Sequence, residues 1–145
     1  MRRLALIGAM GLLLLSAVPT FAATGNSVWR TTLNSGAIHG GATLAELANG
    51  KAASLAVKLY DVKPSTKVTV TLYAGTNGTG TVIAVRLTFK APAAGPATHR
   101  FWLTTAELKA LKADIAKKDS FSVSVTSTSS TGTVTTFSRN LAIVK

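Results

Sequence analysis

Few side chains in this sequence could perform acid–base, nucleophilic or metal chemistry. The 145 residues include no cysteine, two histidines and five acidic residues. A zinc or copper site needs several nitrogen or sulfur ligands at one point, and only His39 and His99 could supply nitrogen. General acid–base catalysis needs paired carboxylates or a tuned histidine. We therefore predict no catalytic residue, no metal site and no cofactor.

Each acidic residue also has a local structural role. Glu107 follows Thr104 by three positions, as in a helix capping box, and Asp61 begins a turn. The others lie beside helix lysines or on the polar face of a strand; the full set is Glu46, Asp61, Glu107, Asp114 and Asp119. A G-x-S-x-G elbow, a calcium-loop spacing and a glycine-rich phosphate loop are all absent. The sequence indicates a protein that is not an enzyme.

The basic residues are the one group that could recognise a ligand. Lys and Arg number 16, and the formal charge is +11. Such a charge favours an acidic partner, for example an anionic wall polymer, an acidic glycan or lipid head groups, although solubility outside the cell would explain it equally well. Basic and aromatic residues recur on the polar faces of three predicted strands that we expect to be neighbours. This candidate anionic-ligand face comprises Lys58, Tyr60, Lys67, Tyr73, Arg86 and Lys90.

The alternative interpretation of these lysines is structural, because lysines on open sheet edges also prevent aggregation. Nucleic acid is a poor candidate partner, since a single-strand binder interleaves aromatic and basic residues along one groove. Here the aromatic residues fall mostly on inward positions, and export from the cell argues further against it.

Residues 1–22 are typical of a secretory signal peptide. Two arginines precede an apolar run over 4–18, and Thr20 and Ala22 supply the small residues for cleavage after Ala22. The alternative is an uncleaved anchor, but a spanning helix needs about 20 apolar residues, and no later stretch is apolar for long enough. We expect a secreted or envelope-associated single domain over 23–145. Its charge would be +9, because the leader carries two of the 16 basic residues.

Residues 54–75 contain two alternating strands joined by a short proline turn. Apolar residues recur at every second position on both sides of the turn: Leu55, Val57 and Leu59, then Val68, Val70 and Leu72. A strand with one apolar face must cover it with another layer, which predicts an antiparallel sandwich or barrel. Further alternating runs and the Asn-Gly turns at 49–50 and 77–78 bring the count to about eight strands. Such a count is typical of an immunoglobulin-like β-sandwich.

One segment changes to helical periodicity. Thr104 and Glu107 form the capping box, and Leu108, Leu111 and Ile115 share one helical face. We therefore predict a helix over 105–118, between the sixth and seventh strands. Trp29 and Trp102 occupy alternating positions and are expected to pack in the core or at an edge. The alternation of the last strand slips near 138–140, as a β-bulge would explain.

The run Val62-Lys63-Pro64-Ser65-Thr66-Lys67-Val68-Thr69-Val70 resembles the L-x-P-x-T-x-Y-x-V motif of fibronectin type III domains, with Val68 in place of the motif's aromatic residue. The order of strand pair, helix beginning at Leu103-Thr104 and strand ending in a glycine turn and Arg139 looks like the chordin-type domains of secreted bacterial proteins. Those domains carry histidines near their final strands, and this chain has none there. The resemblance implies an extracellular immunoglobulin-like sandwich.

These observations together predict a secreted, non-catalytic binding module that acts at the cell envelope by contacting an anionic polymer or another protein. A second possibility is a structural or accessory extracellular domain whose sheet edges pair with other chains.

Overall fold

The computed structural model describes residues 27–36 and 38–144, apart from the side chains of 85–87. Within this part the chain forms eight β-strands and one α-helix. Their bounds are β1 Val28–Asn34, β2 His39–Leu47, β3 Ala52–Tyr60, β4 Lys67–Ala74, β5 Thr81–Lys90, β6 Ala97–Trp102, α1 Thr105–Ala116, β7 Phe121–Thr128 and β8 Val134–Val144. The predicted signal peptide lies outside the described residues. In the described part, α1 is too short to cross a membrane.

The strands form one antiparallel sheet in the order β5-β4-β7-β8-β1-β2-β3-β6. Strand β8 joins its two halves, because residues 134–141 pair with β7 and residues 142–144 pair with β1. The sheet curls into a half-barrel, and its edge strands approach each other where the rings of Phe89 in β5 and His99 in β6 stack with centroids 4.4 Å apart. The predicted antiparallel, mostly β fold with one helix is confirmed.

The alternating apolar residues line the inside of this curl. Val57, Val70 and Val123 come from three different strands and are 1%, 2% and 0% exposed. Full burial of a side chain of this size contributes about 1.5–3 kcal/mol. Trp29 packs edge-on against Phe121, with ring centroids 5.4 Å apart. The interior is therefore built from residues that the period of two assigns to the inner face.

Helix α1 closes one end of the core. The Thr104 hydroxyl accepts a hydrogen bond from the Glu107 amide, and the Glu107 carboxylate accepts one from the Thr104 amide, which confirms the capping box. Leu111 is fully buried, and Leu108 and Ile115 are partly buried against the core. The predicted helical face is the face that packs.

The prediction that β3 and β4 are neighbouring strands joined by a turn is wrong. β3 pairs with β2 and β6, whereas β4 pairs with β5 and β7. Segment 61–66 is a crossover between the two halves of the sheet, and Asp61 and Ser65 adopt positive φ values of 60° and 62° within it. Alternation assigns a residue to a face but does not identify the partner strand.

Two further expectations need correction. Trp29 is buried, but Trp102 is 60% exposed because it lies on the outer face of the edge strand β6. The ladder between β7 and β8 has no register shift at 138–140. The mixed pattern there accompanies the change of partner from β7 to β1, and the register shifts lie instead between β4 and β5.

Replacing Gly40 tests the tight packing of β2 against β3. A Cβ at Gly40 would overlap the carbonyl oxygen of Lys58, whereas a Cβ at Gly41 would lie 3.4 Å from the Thr31 carbonyl oxygen. We expect Gly40→Ala to lower the free energy of unfolding by about 1–3 kcal/mol, as overpacking does. The matched variant Gly41→Ala should change it by less than about 0.5 kcal/mol. Urea denaturation measures both, and equal effects would contradict the described register.

Candidate functional site

Four connections lie at one end of the half-barrel: 61–66 between β3 and β4, 91–96 between β5 and β6, 129–133 between β7 and β8, and the connection between β1 and β2. The first two are held together by backbone hydrogen bonds. The Ser65 amide donates to the Ala91 carbonyl at 3.2 Å, and the Ala91 amide donates to the Thr66 carbonyl at 2.9 Å. We call this region the crossover end. Its loops are fixed relative to the strands that they connect.

Two lysines stand side by side at the crossover end. Lys67 begins β4, Lys90 ends β5, and the two are directly opposed in the antiparallel ladder. Their neighbours Val68 and Phe89 are buried, so both lysines, which are exposed, lie on the outer face. Opposed Cα atoms in such a ladder lie about 4.5–5.5 Å apart. We call Lys67 and Lys90 the lysine pair.

Neither member of the lysine pair forms a salt bridge with an acidic residue of the described chain. Among the described residues the salt bridge formed is between Lys117 and Asp114, at 3.6 Å on the helix. Like charges directly opposed on neighbouring strands are destabilising. The fold therefore places two lysines without a salt-bridge partner directly opposite each other, an arrangement that an anion lying between their ammonium groups would relieve.

Two threonines extend this group of donors. Thr69 and Thr88 are opposed in the same ladder, two residues from the lysine pair and on the same face, and their hydroxyl oxygens lie 3.0 Å apart. One hydroxyl donates to the other, so the two threonines keep one free O–H donor. Ammonium groups beside a free hydroxyl suit a phosphate, sulfate or carboxylate group.

Lys58 and Tyr60 lie at the same end but on another part of the surface. Both are exposed on β3, and the Lys58 Nζ atom sits 5.1 Å from the centre of the Tyr60 ring. A cation over an aromatic face is a favourable contact of about 0.5–1 kcal/mol at an exposed site. Tyr60 also borders a cleft of about 320 Å³ beside the proline-containing loop 91–96.

The structure brings together part of the predicted anionic-ligand face. Lys58, Tyr60, Lys67 and Lys90 all lie at the crossover end, although four strands separate β3 from β4 in the sheet. The six residues do not form one face of adjacent strands. Tyr73 lies towards the far end of β4, opposite Ser122 and Val82, and the Arg86 side chain lies outside the described residues.

Sequence reasoning missed two charged residues of the crossover. Asp61 and Lys63 are both exposed and line a second cavity, and Asp61 also lines the cleft at Tyr60. The order of the residues along the chain could have indicated them, because a short connection keeps the end of β3 and the start of β4 close together whichever strands they pair with.

At no place in the described chain do three His, Asp or Glu residues come together as possible metal ligands.

Comparison with known proteins found no match among family models, curated proteins or solved structures.

Reversing the charge of Lys90 tests the strain in the lysine pair. Lys90→Glu places a carboxylate opposite the Lys67 ammonium and converts a repulsion into an attraction. We expect the free energy of unfolding at low salt to rise by about 0.2–1 kcal/mol and the gain to shrink at high salt. Lys109→Glu, on the exposed side of α1, makes the same change in net charge. If it stabilises the protein equally, total charge rather than the pair is responsible.

Proposed function

We propose that this chain is a secreted, non-catalytic binding module of the cell envelope that holds an anionic polymer at its crossover end. The observation that carries the proposal is the lysine pair, which places Lys67 and Lys90 directly opposite each other without an acidic partner in the described chain. A polymer that bears phosphate, sulfate or carboxylate groups would supply the missing negative charge.

The positions of Lys67 and Lys58 in the sheet support recognition over protection against aggregation, whereas Lys90 lies on the edge strand β5, where either role is open to it. Lysines that block sheet pairing belong on edge strands. Lys67 lies on β4, between β5 and β7, and Lys58 lies on β3, between β2 and β6. Neither strand has a free edge, so edge protection does not account for these two residues. Contact with a ligand does.

We further propose that the half-barrel is a variant of the immunoglobulin-like sandwich. Strands β1, β2, β3 and β6 would form one layer, strands β4, β5 and β7 the other, and β8 would contribute to both. Extracellular binding modules are often built in this way, with recognition confined to the loops at one end. The crossover end would be that end here.

Charge reversal of the lysine pair tests the binding proposal. Hydrogen bonds to charged groups contribute about 1.5–3 kcal/mol each, so we expect Lys67→Glu/Lys90→Glu to weaken binding to a heparin resin by about tenfold or more at low salt. The control Lys51→Glu/Lys109→Glu changes the net charge equally at the opposite end of the molecule and should weaken binding much less. Equal losses would show that binding follows net charge and not this site.

A second candidate function is self-association through the edge strand β6, which pairs only with β3 in the described sheet and exposes 60% of Trp102. Free strand edges are templates for pairing with another chain. Under this proposal the protein dimerises, and Trp102→Ala lowers the dimer fraction measured by light scattering. A monomer at all concentrations would exclude it.

A further inference from the structure

A pocket with both apolar and polar surface opens at the crossover end, between segment 61–66 and the β7–β8 turn. Its volume is about 270 Å³, close to the lower limit of about 300 Å³ for small-molecule sites, so it suits a ligand with a single ring. Ile38, which is 8% exposed, and the partly buried Val62 contribute apolar surface to its wall. The rest of the lining is almost entirely hydroxyl-bearing and charged. We call it the hydroxyl pocket.

Some of its hydroxyl groups are committed to the turn. The Ser129 and Thr131 hydroxyls lie 2.8 Å apart, and the Ser129 hydroxyl accepts a hydrogen bond from the Thr133 amide at 3.0 Å. The Thr66, Thr133 and Thr135 hydroxyls, in contrast, have no hydrogen-bond partner within the described chain. Three lining hydroxyls are thus available to a ligand.

Thr66 is the most informative of these residues. It is only 6% exposed, yet its hydroxyl lacks a protein partner. No fully buried side-chain polar atom in the described part of the chain is unsatisfied, so this hydroxyl must reach solvent, and the hydroxyl pocket is the space that Thr66 lines. A hydroxyl that takes its hydrogen bond from the pocket can be satisfied there by water or by a polar group of a ligand.

Two opposite charges lie on the rim of the pocket. Asp61 and Lys63 are separated by one residue, but neither is in a salt bridge with the other or with any other residue described. The Asp61 carboxylate can accept hydrogen bonds from two neighbouring hydroxyl groups, and the Lys63 ammonium can donate to a third. The pocket therefore offers acceptors and donors together.

This combination selects among ligand classes. An ionised phosphate or sulfate group has no O–H donor for the Asp61 carboxylate, whereas a sugar ring, including that of a uronic acid, has several. An apolar ligand would leave the Thr66 hydroxyl unsatisfied at a cost. A sugar ring carries neighbouring hydroxyls that donate and accept, and its C–H groups can pack on Ile38 and Val62. Only the sugar satisfies both kinds of lining.

We propose that the hydroxyl pocket binds one sugar unit of a glycan. Thr66 lines the pocket on the inner side of the sheet, and the next residue, Lys67, belongs to the lysine pair on the outer face, so a glycan seated in the pocket would reach the two ammonium groups by passing over the end of β4. This inference rests on the proposed function and narrows it: the anionic polymer is an acidic glycan and not a polyphosphate.

The test compares two polymers and two variants of the whole protein. The probes are hyaluronan, an acidic glycan, and inorganic polyphosphate. Asp61→Asn/Thr66→Val removes the carboxylate and the buried hydroxyl, and asparagine tolerates the positive φ at position 61. Asp119→Asn, at the opposite end, is the matched charge control. Dissociation constants are measured for each pair, together with amide chemical shifts on addition of free glucuronic acid.

We expect the pocket variant to bind hyaluronan about tenfold or more weakly than the unmodified protein, because hydrogen bonds to a charged group and to a hydroxyl are lost. Its affinity for polyphosphate should be unchanged or higher, which also shows that it is folded. Asp119→Asn should match the unmodified protein with both polymers, and glucuronic acid should shift amides in 61–66 and 127–135.

The outcomes separate the two proposals. If the pocket variant binds hyaluronan as tightly as the unmodified protein, the sugar pocket is refuted, while polymer binding that depends on the lysine pair survives. If neither polymer binds but glucuronic acid shifts the pocket amides, the polymer function fails and the pocket stands. If neither effect is seen, both fail.

Discussion

The structure depends on the need of every strand to hide one of its two faces. Each strand with a period of two has an apolar side, and a single flat sheet would leave all these sides in water. Curling the sheet lets Val57 of β3 face Val70 of β4 and Val123 of β7 across a common interior. With no cysteine in the chain, this burial, and not covalent cross-linking, supplies the stability of the fold.

The curl of the sheet also determines where charged and polar side chains can lie. Because the interior is filled by aliphatic and aromatic side chains, charged residues are confined to the outer face and to the loops. The connections that pass between the two halves of the sheet then bring several of these charged residues to one end of the molecule. Segments 61–66 and 91–96 cross at the same end and are bonded to each other through Ser65, Thr66 and Ala91. Residues from β3, β4 and β5 meet there although β3 and β4 are far apart in the sheet.

The sequence was sufficient to predict what depends on local pattern. The eight strands, the Asn-Gly hairpins, the capping box and the buried face of α1 each follow from residues within a few positions of one another. The order of the strands in the sheet does not follow from local pattern. The apolar residues around Val57 and Val70 would alternate identically whether β3 paired with β4 or with β2. The error at β3 and β4 has this origin, and it carried over into the expected arrangement of the candidate face.

The residues of the candidate site were likewise predictable only where they depend on local pattern. Lys67 and Lys90 were found because their strands are consecutive and do pair. The hydroxyl pocket was not, since its lining comes from three separate connections, and a buried threonine such as Thr66 resembles any other threonine in the sequence. Only the three-dimensional structure shows that its hydroxyl lacks a partner.

Stability and recognition make opposite demands at the crossover end. A chain selected for stability alone would place an acid opposite Lys67, since an opposed pair of unlike charges gains about as much as a like pair loses. It would also give the Thr66 hydroxyl a partner within the protein. Neither condition is met within the same few residues, because Lys67 lies opposite Lys90 and the Thr66 hydroxyl reaches solvent and not a protein partner. Features that cluster in this way suit the binding surface that we propose, because a ligand would supply the charge and the hydrogen bonds that the protein omits.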